Sequence, residues 1–201
     1  MDLCSACEAA LPACQTGCRR CGLPLAANSK VCDVCLIDPP VFDRTWCPFL
    51  YAWPVDGMIS DFKHTGHLTT GRVLAELMLN IRPEQSFDLM IPVPLHPRTE
   101  RKRGFNQAVE IASVLSKAWK LPLDTRNCRR IIQTPEQKKL NKSQRFRNIR
   151  NAFALKHPYH GERILILDDV VTTTATVSVL AELLLENGAG SVSVMCIART
   201  A

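Results

Sequence analysis

The sequence predicts an α/β fold, an open and mostly parallel sheet with helices on both faces, preceded by a small cysteine-rich domain. Three patterns in its 201 residues carry that prediction. Ile164, Leu165, Ile166 and Leu167 form an apolar run without alternation, which is how a strand buried on both faces reads. Residues 87–119 and 163–186 each follow the order strand, loop, amphipathic helix. Ahead of both units, six cysteines fall into three Cys-x-x-Cys pairs.

A chain that is 46% apolar suffices for one α/β domain with a core and a small appendage. The pairs Cys4/Cys7, Cys18/Cys21 and Cys32/Cys35 are separated by ten residues each time. Two such pairs can converge four thiolates on one tetrahedral zinc, and Gly22 after Cys21 suits the tight turn of a zinc knuckle. In a reducing compartment disulfides are the weaker reading. A redox motif does not need three pairs. Spacing favours Cys18, Cys21, Cys32 and Cys35 as ligands of a structural Zn²⁺ and leaves open the rival set Cys4, Cys7, Cys18 and Cys21. In the favoured set, Cys4 and Cys7 form half of a second site that Cys14 would partly complete. Cys47, Cys128 and Cys196 are isolated and read as small buried apolar residues.

Asp38-Pro39-Pro40 is a stiff linker, so a zinc-ribbon domain is expected over residues 1–40 and the α/β domain over 41–201. Residues 45–53 read as a strand, 55–64 as a helix with Met58, Ile59 and Phe62 inward, and a second helix carries Leu74, Leu77, Met78 and Ile81 at helical spacing. His64 and His67 flank a turn and read as surface polar residues. Residues 87–93 are the next buried strand. It runs into a loop with Arg98, Arg101, Lys102 and Arg103, four cations in six residues, just before a helix with stripe Ala108, Ile111, Ala112, Leu115, Ala118 and Trp119. That loop is a candidate pyrophosphate or anion site.

The last unit is the most informative. Asp168 and Asp169 stand at the carboxyl end of their strand. A hydroxyl-rich loop follows, and Val177, Leu180, Ala181 and Leu184 mark a helix that Asn187-Gly188 closes. In open α/β sheets ligands bind outside the carboxyl ends of strands, and a helix N-terminus offers free N–H groups to phosphate. A final strand covers residues 191–198.

The net charge is +6, but residues 126–150 hold nine Lys or Arg against one acid, so the remainder is slightly acidic. Such concentration suits a polyanionic partner, either nucleic acid or a pyrophosphate-bearing substrate. No apolar run approaches the ~18 residues that span a bilayer, and the start Met1-Asp2-Leu3-Cys4 lacks a basic n-region and an h-region. A cytoplasmic protein without membrane insertion is expected.

The Asp168-Asp169 stretch resembles the ribose-phosphate signature of type I phosphoribosyltransferases. The resemblance implies that the two acids take the ribose hydroxyls of phosphoribosyl pyrophosphate, with Mg²⁺ bridging. Val171, Thr172, Thr173, Thr174, Ala175 and Thr176 would enclose its 5-phosphate. Val93-Pro94-Leu95-His96-Pro97 followed by Arg103-Gly104-Phe105-Asn106-Gln107 narrows the match to the ComF family, also called GntX-like, as do Pro39-Pro40-Val41-Phe42-Asp43 and Thr134-x-x-Gln137-x-x-Leu140. Members have cysteine pairs, many of them four where this chain has three, and a phosphoribosyltransferase-like domain; they are associated with natural competence and DNA use. The resemblance further implies that Lys138, Lys139 and Arg145 sit on a loop closing over pyrophosphate. The chain departs from the family pattern at Thr174, where Gly is usual and permits φ > 0 close to the phosphate. Thr172 stands where purine salvage enzymes commonly place an acid, which argues against purine salvage. The expectations are phosphoribosyl transfer in nucleotide metabolism, a glycosyltransferase activity that Thr174 weakens; a non-catalytic module for nucleotide or single-stranded DNA; or a scaffold whose ribbon docks other DNA-uptake proteins.

Overall fold

A computed structural model describes residues 3–26, 29–133 and 151–201. Its centre is a parallel sheet in the order β1-β7-β6-β3, with β2 also beside β7. The strands are β1 (Thr45–Trp46), β2 (Phe49–Leu50), β3 (Leu89–Pro92), β6 (Arg163–Val171) and β7 (Ser191–Arg199). Two further strands, β4 (Cys128–Arg130) and β5 (Phe153–Leu155), pair antiparallel outside it. The helices are α1 (Ser5–Ala9), α2 (Asp33–Ile37), α3 (Val55–Thr65), α4 (Leu68–Leu79), α5 (Pro97–Arg103), α6 (Gln107–Trp119) and α7 (Ala175–Glu186).

Alternation along β6 builds both layers. Leu165 and Leu167 join Ile59, Phe62, Leu74 and Leu115 of α3, α4 and α6. Ile164 and Ile166 join Val177, Leu180 and Leu184 of α7 on the other side. A strand with a helical layer on each face must be apolar at both parities, which explains the unbroken run. Helices α3 and α4 meet at Gly71, where a Cβ would lie 2.5 Å from the Phe62 ring.

The single strand expected over residues 45–53 is instead two short ones, each parallel to β7. Pro48 lies between them and has no N–H for a ladder; its carbonyl accepts from the Cys14 N–H at 2.7 Å. The cysteine-rich segment packs on this edge. Thr45 N–H donates to the Arg19 carbonyl at 2.9 Å, Thr45 Oγ1 donates to the Arg20 carbonyl at 2.7 Å, and Leu11 is buried with the α3, α4 and α6 layer. No helix among the described residues is long and apolar enough to cross a membrane.

Candidate functional site

Strands β3 and β6 lie side by side with Pro92 opposite Leu167, and the Val93 N–H donates to the Leu167 carbonyl at 2.8 Å. The chain therefore leaves both strands at one sheet edge. From β6 it enters Asp168, Asp169 and the loop to α7; from β3 it enters α5. The sequence predicts a cation-rich loop after β3, but Pro97–Arg103 form a helix instead, with Pro97 at its first position favouring helix start, so only the exit from β6 is an open loop.

The strand's alternation sends its two acids to different faces. Asp169 follows Leu167 toward α3, where Lys63 Nζ meets its Oδ2 at 2.7 Å. Asp169 is 4% exposed, so this ion pair is shielded from water on the carboxylate side. Asp168 lies opposite Cys196 of β7, and its Oδ1 accepts from the Asp169 N–H at 2.9 Å. Burial, then the Asp169 charge, push the Asp168 carboxyl up to about 8, with Lys63 opposing. Arg130 of β4 is also in its field: burial lowers the guanidinium's pKa while Asp168 raises it.

The loop beyond the acids encloses a small recess of about 30 Å³ lined by Asp168 and residues 170–177. Thr174 holds φ 59° and ψ −9°, the left-handed conformation that glycine normally supplies. Its Oγ1 donates to the Thr173 carbonyl at 2.6 Å, and no side chain caps α7. The first-turn N–H groups of that helix are consequently open to an anion.

Helix α5 begins with Pro97 at its first position and His96 as cap, Nδ1 accepting from the Arg98 N–H at 3.2 Å; Gly104 at φ 89° ends it. Asn106 ties the next helix to β3, its Oδ1 accepting from the Ala108 N–H at 3.0 Å and its Nδ2 donating to the Val93 carbonyl at 3.1 Å. Arg98, Arg101 and Lys102 are exposed, and Arg103 Nη1 donates to Gln107 Oε1. Among the described residues none of these cations pairs with either acid. Lys138, Lys139 and Arg145 lie outside the described residues. Lys63 was not singled out by sequence because its pairing spans over a hundred residues. Arg130 was one cation among nine in the basic window. Arg199 ends an apolar strand and is buried, but its partners Cys21, Val171 and Thr172 lie in distant segments, so the sequence does not mark it.

In the cysteine-rich segment, the sulfurs of Cys18, Cys21, Cys32 and Cys35 all lie within 4.8 Å of one another. Tetrahedral zinc with Zn–S near 2.3 Å sets sulfurs about 3.8 Å apart, and Cys21 Sγ and Cys32 Sγ are 3.7 Å apart. Burial raises the Cys18 thiol, but N–H donors from Cys21, Cys32 and Arg20 outweigh it and bring the group down to about 7. Burial pushes the Cys21 and Cys35 thiols up, a cost that a cation at their centre removes. The four residues fit a metal. Cys4 and Cys7 interact with each other and join no group of three or more candidate ligands among the described residues. Cys14 lies in the field of Cys47 and Arg199.

No family model matches the chain. It is 36% identical over 205 residues to DNA utilization protein YhgH of Salmonella typhimurium, covering 98% of this chain and 90% of that protein. It is 30% identical over 207 residues to competence protein F of Haemophilus influenzae, with the same coverage of 98% and 90%. The orotate phosphoribosyltransferase of Aeropyrum pernix superposes with a TM-score of 0.39 at 18% identity, over 65% of this chain and 60% of that one. That likeness is too distant to speak to chemistry.

Proposed function

Because the chain belongs to the ComF family of DNA-utilization and competence proteins, we propose that it binds phosphoribosyl pyrophosphate or a related nucleotide at the Asp168-Asp169 loop. The observation that carries this reading is the conformation of Thr174. A β-branched residue occupies the left-handed region at a cost of about 1–2 kcal/mol, and an uncapped helix start follows it. Backbone strain of this kind persists where function requires the geometry.

The 5-phosphate sits against the α7 N-terminus, held by the Thr172, Thr173 and Thr176 hydroxyls and first-turn amides. Asp168 and Asp169 accept from the ribose hydroxyls. Mg²⁺ bound with the ligand offsets pyrophosphate charge. Arg98, Arg101 and Arg103 face the pyrophosphate from α5, and Arg130 lies in the field of Asp168. Such an arrangement positions a departing pyrophosphate and stabilises its charge without a protein nucleophile. Cys18, Cys21, Cys32 and Cys35 hold a structural Zn²⁺ that organises the ribbon.

A second reading is favoured by the exposed Arg98, Arg101 and Lys102 beside this edge: single-stranded DNA tracked through its phosphates, without turnover. Calorimetric titration with phosphoribosyl pyrophosphate and Mg²⁺, then with an oligonucleotide, separates the two. Equal binding of phosphoribosyl pyrophosphate by D168N/D169N would remove the first.

A further inference from the structure

Arg199, the last residue of β7, is 6% exposed and lies between the two sites. Its Nε donates to the Cys21 carbonyl at 3.1 Å. Its Nη1 reaches the carbonyls of Val171 at 3.2 Å, of Thr172 and of Thr200 at 2.9 Å. One planar guanidinium thus clasps the knuckle of the cysteine cluster at one end and the phosphate loop at the other.

The consequence follows from peptide geometry. In a planar trans peptide the C=O and the next N–H point in opposite directions. Carbonyls of Val171 and Thr172 drawn toward Arg199 turn the N–H groups of Thr172 and Thr173 away from it, as an anion-binding loop needs. Arg199 itself is fixed from the far side by the Cys21 carbonyl. That carbonyl is fixed in turn by a turn with Gly22 at φ 73°, next to the Thr45 bond to the Arg20 carbonyl.

The geometry points to Arg199 as a positioning residue that makes the state of the four-cysteine site a determinant of phosphate-loop geometry. The inference rests on the reading of both sites given above and adds a linkage between them. Loading the cysteine site orders the Cys21 turn, holds the guanidinium in place and keeps the loop amides turned outward. By thermodynamic reciprocity a phosphate ligand in the loop strengthens metal retention.

The test uses the full-length zinc-loaded protein, before and after chelation, with hydrogen exchange of the hydrogen-bonded amides flanking the loop, Asp169 and Val170 at the end of β6 and Ser178 in α7, as readout. Chelation should speed exchange in the wild type about tenfold, within the usual range of site–site coupling. In R199K the charge is kept but the fork is lost; exchange should start fast and change little on chelation. T45V, which loosens the turn without touching Arg199, should fall between. Wild-type exchange unchanged by chelation overturns the linkage, as does equal acceleration in wild type and R199K. Should R199K fail to fold, the wild-type and T45V arms still decide. A second arm follows zinc release to a chelator with and without phosphoribosyl pyrophosphate, which should slow release in wild type and not in R199K. If that ligand fails to bind while exchange stays coupled, the ligand assignment falls and the linkage stands.

Discussion

Lys63 and Asp169 meet at 2.7 Å across the seam between α3 and the end of β6. The carboxylate is nearly enclosed while the ammonium keeps a side open, with side-chain exposures of 6% and 23%. A carboxylate taken out of water needs such a partner to offset its desolvation, so the pair ties α3 to the end of β6.

Replacing Lys63 tests this directly. K63M should lower unfolding free energy by about 2 kcal/mol, below the range for fully buried pairs because Lys63 is partly solvated. D169N should rescue much of that loss in the double variant. Chemical denaturation of the four members of the cycle measures the coupling, and strict additivity would show that the pair contributes nothing.

The neighbouring acid predicts a pH dependence of definite sign. Asp168 holds its proton up to about 8, against an ordinary 3.8. Between those values the folded state binds the proton more tightly than the unfolded chain, so this group's contribution weakens stability as pH rises from about 4 to about 8. D168N should flatten that part of the profile and raise stability at pH 8 by about 2 kcal/mol. Binding of magnesium and ligand, which needs the ionised carboxylate, should strengthen as pH climbs toward 8. It should also release a proton, detectable as a buffer-dependent heat.

How much of this was readable from sequence depends on whether a feature is local. Strand β6 is legible because two-sided burial leaves an apolar run, and α6 because its stripe repeats at helical spacing. The break between β1 and β2 was missed because an apolar stretch hides a proline whose carbonyl serves a partner far away in the chain. Asp168 and Asp169 announce themselves as a pair, whereas Lys63 and Arg199 acquire meaning only when the sheet brings distant segments together. The four-cysteine group was the favoured of two spacings, since spacing alone does not say which pairs fold toward each other.

That group makes its own prediction. C35S should cost metal content and stability together, because Cys35 is buried among three other thiols. C4S/C7S should retain metal, both residues being exposed. Metal analysis on purified variants, expecting about one zinc per chain from a tetrathiolate site, checks both. Loss of metal in C4S/C7S would restore the rival grouping.

For the DNA reading the decisive quantity is a slope. R98A and R101A each remove one exposed cation from the edge beside the acids. If these side chains contact phosphates, affinity for a single-stranded oligonucleotide falls steeply with salt, and each variant lessens the slope of log K on log salt by about 0.7. An unchanged slope in both would place any DNA contact elsewhere.

Thr174 offers the sharpest test of the phosphate loop. Its φ of 59° is unfavourable for a β-branched side chain and easy for glycine, so T174G relieves strain while enlarging the freedom of the unfolded chain. The two effects oppose, and net stability should change by about 1 kcal/mol or less. Affinity is where they separate. A glycine lets the backbone approach the phosphate, so phosphoribosyl pyrophosphate should bind T174G several-fold more tightly than wild type. T174A keeps a Cβ but loses the branch and the hydroxyl that reaches the Thr173 carbonyl, so it should gain less. If instead T174G binds more weakly, the hydroxyl is itself part of the phosphate cradle, and the threonine is an adaptation of this loop to its ligand.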